Sequence, residues 1–202
     1  MIIKHSGQKV AVFIDVQNLY HSARNLYQSR VNFKEILKTA IANRNAIRAF
    51  AYVVRTKTGE ERPFFDALVK LGIETRIKDL QEFYGGMKKA DWDVGMVIDA
   101  VRMAPSVDAI VLASGDGDFI SLVDYLKNQG KRVEIMAFGR SASKGLKEIA
   151  DEFIDLESST ERYLLQKKNK IFPINLRKII PLQKRTAPSE GQKPKWKNSN
   201  SQ

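Results

Sequence analysis

Residues 109–137, AIVLASGDGDFISLVDYLKNQGKRVEIMA, carry the reading that decides the fold. An apolar, β-branched run (Ala109–Ala113) ends in small and acidic residues. A segment of helical period follows (Phe119–Asn128), with Gln129-Gly130 where a helix C-cap falls, and then a second apolar run (Arg132–Ala137). Ala109–Ala113 is apolar on successive positions, as strands covered on both faces are. Strand, helix and strand in that order form the unit of a parallel sheet.

The same alternation extends outward in both directions. Further strands are expected at Lys9–Ile14 (KVAVFI), Ile47–Val54 and Ile73–Lys78, with a short sixth at Phe153–Leu156. Helices are expected at Asn18–Tyr27, Phe33–Asn43, Glu60–Leu71, Asp93–Met103 and Lys144–Ala150. The fold class is therefore α/β, a mostly parallel sheet with helices on both faces. Gly85-Gly86 breaks the pattern and reads as a flexible loop. From Lys167 the periodicity fades among Pro173, Pro181, Pro188 and Pro194, and that stretch lacks the apolar density to fold alone. The boundary falls within 158–168, giving a domain over residues 1–160 and a basic, largely disordered extension over 161–202.

Composition narrows the chemistry. The 202 residues include no cysteine, which excludes disulfides, thiolate metal sites and cysteine nucleophiles. Two histidines, His5 and His21, do not make an imidazole zinc site. The first apolar run, Val10–Ile14, is too short for a signal peptide or a membrane span, so a soluble, cytoplasmic protein without membrane contact is expected. Net charge is +11, and residues 160–202 contribute eleven Lys/Arg against two Asp/Glu, so the tail holds the excess. A polyanion is the natural partner for such a tail; a solubilising extension is the plainer alternative. The sequence carries no signal for or against a homodimer.

The aspartates collect where an open parallel sheet binds ligands, outside the carboxyl ends of its strands. Asp15 closes the first strand; Asp116 and Asp118 follow the fourth; Asp91 and Asp93 lead into the helix before it. Taken singly, most have ordinary explanations. Asn18 serves as an N-cap, Asp93 and Asp118 as first-turn acids, Asp116 as a turn residue. Asp15 is the exception, since a carboxylate ending an apolar strand is partly desolvated. Several carboxylates converging there repel one another, and a divalent cation relieves that best. Oxygen-only ligation points to magnesium or manganese, ions that support phosphodiester hydrolysis. Asp99 lies six residues beyond Asp93, about 120° around and roughly 9 Å along the helix, so the two do not readily share an ion. It shares a face with Trp92, Met96 and Met103 and reads as a hydrogen-bonding acid beside the site or an unusual core carboxylate.

FIDVQN, KKADWDVGMVIDAVRMA, DAIVLASGDGDFISLVDYLKNQGKRVEIMAF and LKEIADEFIDL, taken in that order, resemble the NYN/LabA-like branch of the PIN-like nuclease superfamily. The resemblance covers about residues 9–157. It implies a Rossmann-like (PIN-like) sheet and a metal-dependent ribonuclease site that prefers single-stranded RNA. By position, Asp15 matches the first-strand metal acid and Asn18 its polar partner. Asp93 matches the helix acid, Asp116 the fourth-strand acid and Asp118 an extra acid of this branch. Asp99 matches a recurrent position of open role.

Other residues carry weaker signals. Lys88 and Lys89 border the expected site and could hold an RNA phosphate, though loop lysines are usually only solvated. Arg140, Ser141, Ser143 and Lys144 open the helix after the fifth strand, where backbone N–H groups could bind phosphate; Ser143 as a plain N-cap reads equally well. Ser114 is either a turn serine or a partner of a metal-bound water. Tyr163 and Trp196 could stack on bases. A haloacid-dehalogenase phosphatase needs an acid where Gln17 stands. A nucleotide-sugar transferase leaves Asp15 and Asn18 unexplained, and a dinucleotide-binding enzyme needs a glycine-rich turn that VQNLY lacks. The remaining alternative is a non-catalytic RNA-binding or regulatory protein on the same fold.

Overall fold

The computed structural model describes residues 4–56, 58–82, 88–89 and 91–165, with backbone alone at 81–82 and 88–89. β1 (Lys9–Asp15) runs directly into α1 (Val16–Tyr27), followed by β2 (Arg30–Val31), α2 (Phe33–Ile41), β3 (Asn45–Arg55) and α3 (Arg62–Lys70). Then come β4 (Glu74–Asp79), β5 (Gln81–Glu82), β6 (Lys88–Lys89) and α4 (Asp93–Met103). β7 (Ala109–Ala113), α5 (Ile120–Asn128), β8 (Arg132–Ala137), α6 (Lys144–Ile149) and β9 (Glu152–Asp155) complete the alternation. α7 (Thr160–Tyr163) and β10 (Leu164–Leu165) close the described chain.

Six strands form one sheet in the order β4-β3-β1-β7-β8-β9, and every neighbouring pair is parallel. The chain begins in the middle, steps outward to β3 and β4, then returns to β7 and builds the other half. Right-handed crossovers running in opposite directions put their helices on opposite faces. Val12, Ile14, Ala51 and Val111 accordingly pack under α1, α2 and α3 with Leu19, Ile36 and Leu68. Phe13, Phe50, Tyr52 and Leu112 point the other way and pack with Met96, Ala100, Leu122 and Leu146 of α4, α5 and α6. Alternate residues of one strand thus feed two cores, which is why the central strands β1 and β7 read as unbroken apolar runs.

Two departures from the sequence reading have local causes. α1 begins at Val16, two residues ahead of expectation, because Asp15 caps it: its backbone is extended and its side chain accepts the Asn18 N–H. Asn18 is therefore inside the helix and its side chain is free of capping. Two-stranded antiparallel ladders, β2 with β10 and β5 with β6, were not anticipated; pieces of two residues carry no readable period. Through the first ladder, residues 160–165 pack back on the domain, and Tyr163 is buried with its hydroxyl 3.3 Å from Thr39 Oγ1. It is not available to stack on a base. Gly85-Gly86, Trp196 and the basic stretch from Gln166 onward lie outside the described residues. Among the described residues no helix is long and apolar enough to cross a membrane.

The amino ends of the strands are tied by a buried ion network. Arg44 places its guanidinium against both oxygens of Glu134, at 2.8 and 2.9 Å, with both side chains fully enclosed. Arg132 and Lys4 each bridge Glu134 to Glu152, its neighbour on β9.

Candidate active site

The strand order reverses between β1 and β7, and the carboxyl ends of those two strands frame a crevice of the kind where open α/β sheets bind ligands. Asp15 ends β1 and is 8% exposed. Its Oδ1 accepts the Asn18 N–H at 3.0 Å, and its Oδ2 accepts the hydroxyl of Ser114, the wholly buried residue that follows β7, at 3.1 Å. Asn18 Oδ1 in turn accepts the Gly115 N–H at 2.9 Å. The loops after β1 and β7 are thereby laced together by side chains. Asp116 starts the next turn: its N–H donates to Ser114 Oγ at 3.2 Å, and its Oδ1 accepts the Asp118 N–H at 3.2 Å. Gly115 has to be small, since a Cβ there would stand 2.9 Å from the Ala142 Cα of the loop after β8.

Asp93 opens α4 and completes the group. Burial first, then the negative charges of Asp116, Asp91 and Asp118, push its carboxyl up, with Lys78 opposing. Asp15 is pushed up to about 6, chiefly by burial; the Asn18 N–H and the Ser114 hydroxyl pull it down, and Asp93 and Asp116 add to the rise. The acids expected to converge therefore share one electrostatic field. The convergence is looser than the sequence reading held. Among the described residues, no three acidic or imidazole side chains are gathered at ligating range of one point. The donor set nonetheless suits a hard cation. Every donor is an oxygen, and each Asp15 oxygen has accepted one hydrogen bond and keeps a further lone pair. Magnesium is commonly held through one or two carboxylates, with waters and substrate phosphate filling the rest of its shell.

Asp99 stands apart from these acids. Its Oδ2 accepts the Tyr52 hydroxyl at 3.0 Å and Arg76 Nε at 3.2 Å, so it is a hydrogen-bonded acid on the sheet side of α4.

The NYN-domain family model matches residues 9–157, from the first residue of β1 to just past β9, and so takes in the whole sheet and every acid above. The chain belongs to the NYN-domain family. It is 28% identical over 162 residues to the Low amplitude and bright protein LabA of Synechococcus elongatus, a match covering 73% of this chain and 83% of that one. An uncharacterized protein of Methanocaldococcus jannaschii is 25% identical over 83% of this NYN chain, and the match spans 64% of its own length. A crystal structure of a Vibrio parahaemolyticus protein of unknown function superposes with a TM-score of 0.73 at 32% identity, covering 81% of this chain and all of that one. The NYN/LabA-like resemblance read from the motifs is met.

The basic candidates of this NYN domain fare differently from its acids. Backbone N–H groups of 139–143 are all spent inside the protein, on Asp155, Glu157, Phe138 and Gly115, so these five are not available to phosphate. The Arg140 side chain is exposed but paired with Glu157 at 2.7 Å and with the Tyr27 hydroxyl at 2.8 Å. Lys144 is highly exposed, with a loose 3.6 Å contact to Glu148. Lys88 and Lys89 form β6, paired with Glu82 and Gln81 of β5; their side chains lie outside the described residues. Sequence reasoning passed over Lys78, Tyr52 and Trp92. Lys78 donates to the Asp91 carbonyl at 2.8 Å and lies 5.3 Å from the centre of the Trp92 ring, close to the acids. Nothing short-range in the strand ETRIKD marks it.

Proposed function

We propose that this chain is a ribonuclease that uses magnesium or manganese to hydrolyse phosphodiester bonds of single-stranded RNA in the cytoplasm. The nuclease domain runs through residue 165, five residues past the boundary at 160 drawn from the sequence, and a basic extension follows. The observation that carries the reading is the reversal of strand order. It brings Asp15 at the end of β1, Asp116 and Asp118 after β7, and Asp93 at the head of α4 into one field of like charge. Family membership supports RNA-directed, nuclease-like chemistry on this fold.

Of Asp15, Asp93, Asp116 and Asp118, one or two would bind the ion directly and the others through its bound waters. When bound, it would supply charge stabilisation at a phosphoryl oxygen and a water of lowered pKa. The chain's own part is positional. Ser114 and the Asn18 N–H orient the Asp15 carboxylate, and the Asn18 side chain holds the β7 loop so that Asp116 and Asp118 are presented at the crevice. Asp118 is exposed at the mouth, and Asp15 is at the floor. Lys88, Lys89, Arg140 and Lys144 are the RNA contacts of this reading; Arg140 would exchange Glu157 for phosphate.

The test is incubation of purified protein with single- and double-stranded RNA, with and without magnesium or manganese, beside Asp15→Asn and Asp116→Asn variants. Metal-dependent cleavage of single strands, lost in both variants, is expected. Wild-type rates in Asp15→Asn would move the site elsewhere. Tight RNA binding with no cleavage under any metal would make this a non-catalytic RNA-binding protein.

A further inference from the structure

We propose that Tyr52 and Trp92 form a bridge through which Asp99 sets the position of Asp93, so that all three act as positioning residues for the site; this rests on the nuclease reading above. The bridge is continuous. Asp99, one and two-thirds turns along α4 from Asp93, accepts the hydroxyl of Tyr52. The Tyr52 ring meets the Trp92 ring edge-on, with centroids 5.4 Å apart at 63°. Trp92 immediately precedes Asp93, and its Nε1–H donates to the Val53 carbonyl of β3 at 2.9 Å. The head of α4 is thus pinned to β3 by its own N-cap residue, whose side chain makes no capping hydrogen bond.

Register gives the bridge its consequence. Tyr52 lies directly beside Asp15 in the paired strands β3 and β1. A tie from β3 at residues 52–53 to the helix residue before Asp93 therefore spans the gap between Asp15 and Asp93, the two acids that repel each other. The indole packs against the first turn of α4, and only a glycine two residues beyond Asp93 leaves it room: a Cβ on Gly95 would stand 2.6 Å from Trp92 Cε3. Lys78 Nζ lies 5.3 Å from the centre of the indole ring, and Arg76 Nε also donates to Asp99 Oδ2. A phenylalanine at 52 would fill the same core volume. The tyrosine hydroxyl adds only the tie to Asp99, and a buried hydroxyl without that partner would be costly.

The experiment compares full-length wild type with Tyr52→Phe, Asp99→Asn, the double variant, Gly95→Ala and Asp93→Asn. It measures kcat and KM on a short single-stranded RNA, manganese affinity by calorimetry, and thermal stability. Tyr52→Phe is expected to lower kcat about 10- to 100-fold and to weaken manganese binding about 10-fold, with KM for RNA unchanged. Asp99→Asn should do the same, and the double variant should be no worse than the poorer single one, because one chain of contacts is cut once or twice. Gly95→Ala, which displaces the indole while leaving both hydrogen-bonding groups intact, should reproduce the kcat loss. If Asp93→Asn is inactive while Tyr52→Phe keeps wild-type kcat and manganese affinity, or if the two losses simply multiply, the bridge is overturned and Tyr52 is a packing residue. If Asp93→Asn keeps full activity, the nuclease reading of the acids has failed first, and the bridge falls with it.

Discussion

Asp15 concentrates three demands in one carboxylate. It caps α1, it accepts the Ser114 hydroxyl, and it sits nearly enclosed beside other acids. Its carboxyl is raised from 3.8 to about 6, so between those values the folded protein holds a proton there that the unfolded chain has released. Stability from this group is therefore complete below about pH 4 and is lost as pH rises through about 6. In metal-free buffer at pH 7, Asp15→Asn should raise stability by about 1–3 kcal/mol, a few degrees in Tm, since asparagine caps a helix as well as aspartate and carries no charge. The gain should vanish in melts at pH 4. Thermal melts across that range in EDTA, alongside the cleavage assay, check both halves. An asparagine variant less stable than wild type at pH 7 would show that Asp15 is held by something other than strained burial.

Strands β1, β3, β8 and β9 are joined at their amino ends by Arg44, Glu134, Arg132, Lys4 and Glu152, at the opposite end from the acids. Burial alone would raise the Glu134 carboxyl, but the hydrogen bonds of Arg44 and Arg132 and the surrounding cations outweigh it and hold the group low. The stability it contributes is present above its unfolded value of 4.5 and is lost as pH falls through the lowered folded value. Glu134→Ala leaves the enclosed Arg44 charge without its partner and should cost about 3–5 kcal/mol. Replacing both residues with methionine should recover most of that loss. Chemical denaturation of the three proteins checks this, and activity per folded molecule should stay unchanged, because the network touches no residue of the crevice. A Glu134→Ala protein as stable as wild type would refute it.

At the scale of the molecule, charge is divided. The first 159 residues hold 23 Lys/Arg against 21 Asp/Glu, while residues 160–202 hold eleven against two. In the nuclease reading, an acid-lined crevice would repel phosphate until a cation is bound, and a basic extension would supply attraction at a distance. Deleting residues 182–202 removes five Lys/Arg. RNA affinity should fall, and the slope of log affinity against log salt should flatten by up to about 3, each phosphate contact on a single strand being worth about 0.7. Turnover of short RNA at saturating concentration should be spared. Equal affinity and equal slope in the truncated and full chains would make the extension a solubilising one.

The sequence by itself determined the α/β class, the parallel pairing and the acids. Unbroken apolar runs, helical periods and carboxylates at strand ends are local properties, readable within a window of about a dozen residues. α4 was legible to the residue, Asp93–Met103, because its period is uninterrupted. The two-residue ladders were not, being shorter than any period. Tertiary structure alone decided which strand ends meet. Ser114 reaches Asp15 across 99 residues of sequence, Asn18 reaches Gly115 across 97, and Tyr52 reaches Asp99 across 47. It also withdrew backbone groups that the sequence offered for phosphate, by spending the N–H groups of 139–143 on Gly115, Phe138, Asp155 and Glu157. The physical reason is that periodicity reports which face of an element is covered, whereas the partner covering it is chosen by strand order and crossover direction, which no local stretch encodes.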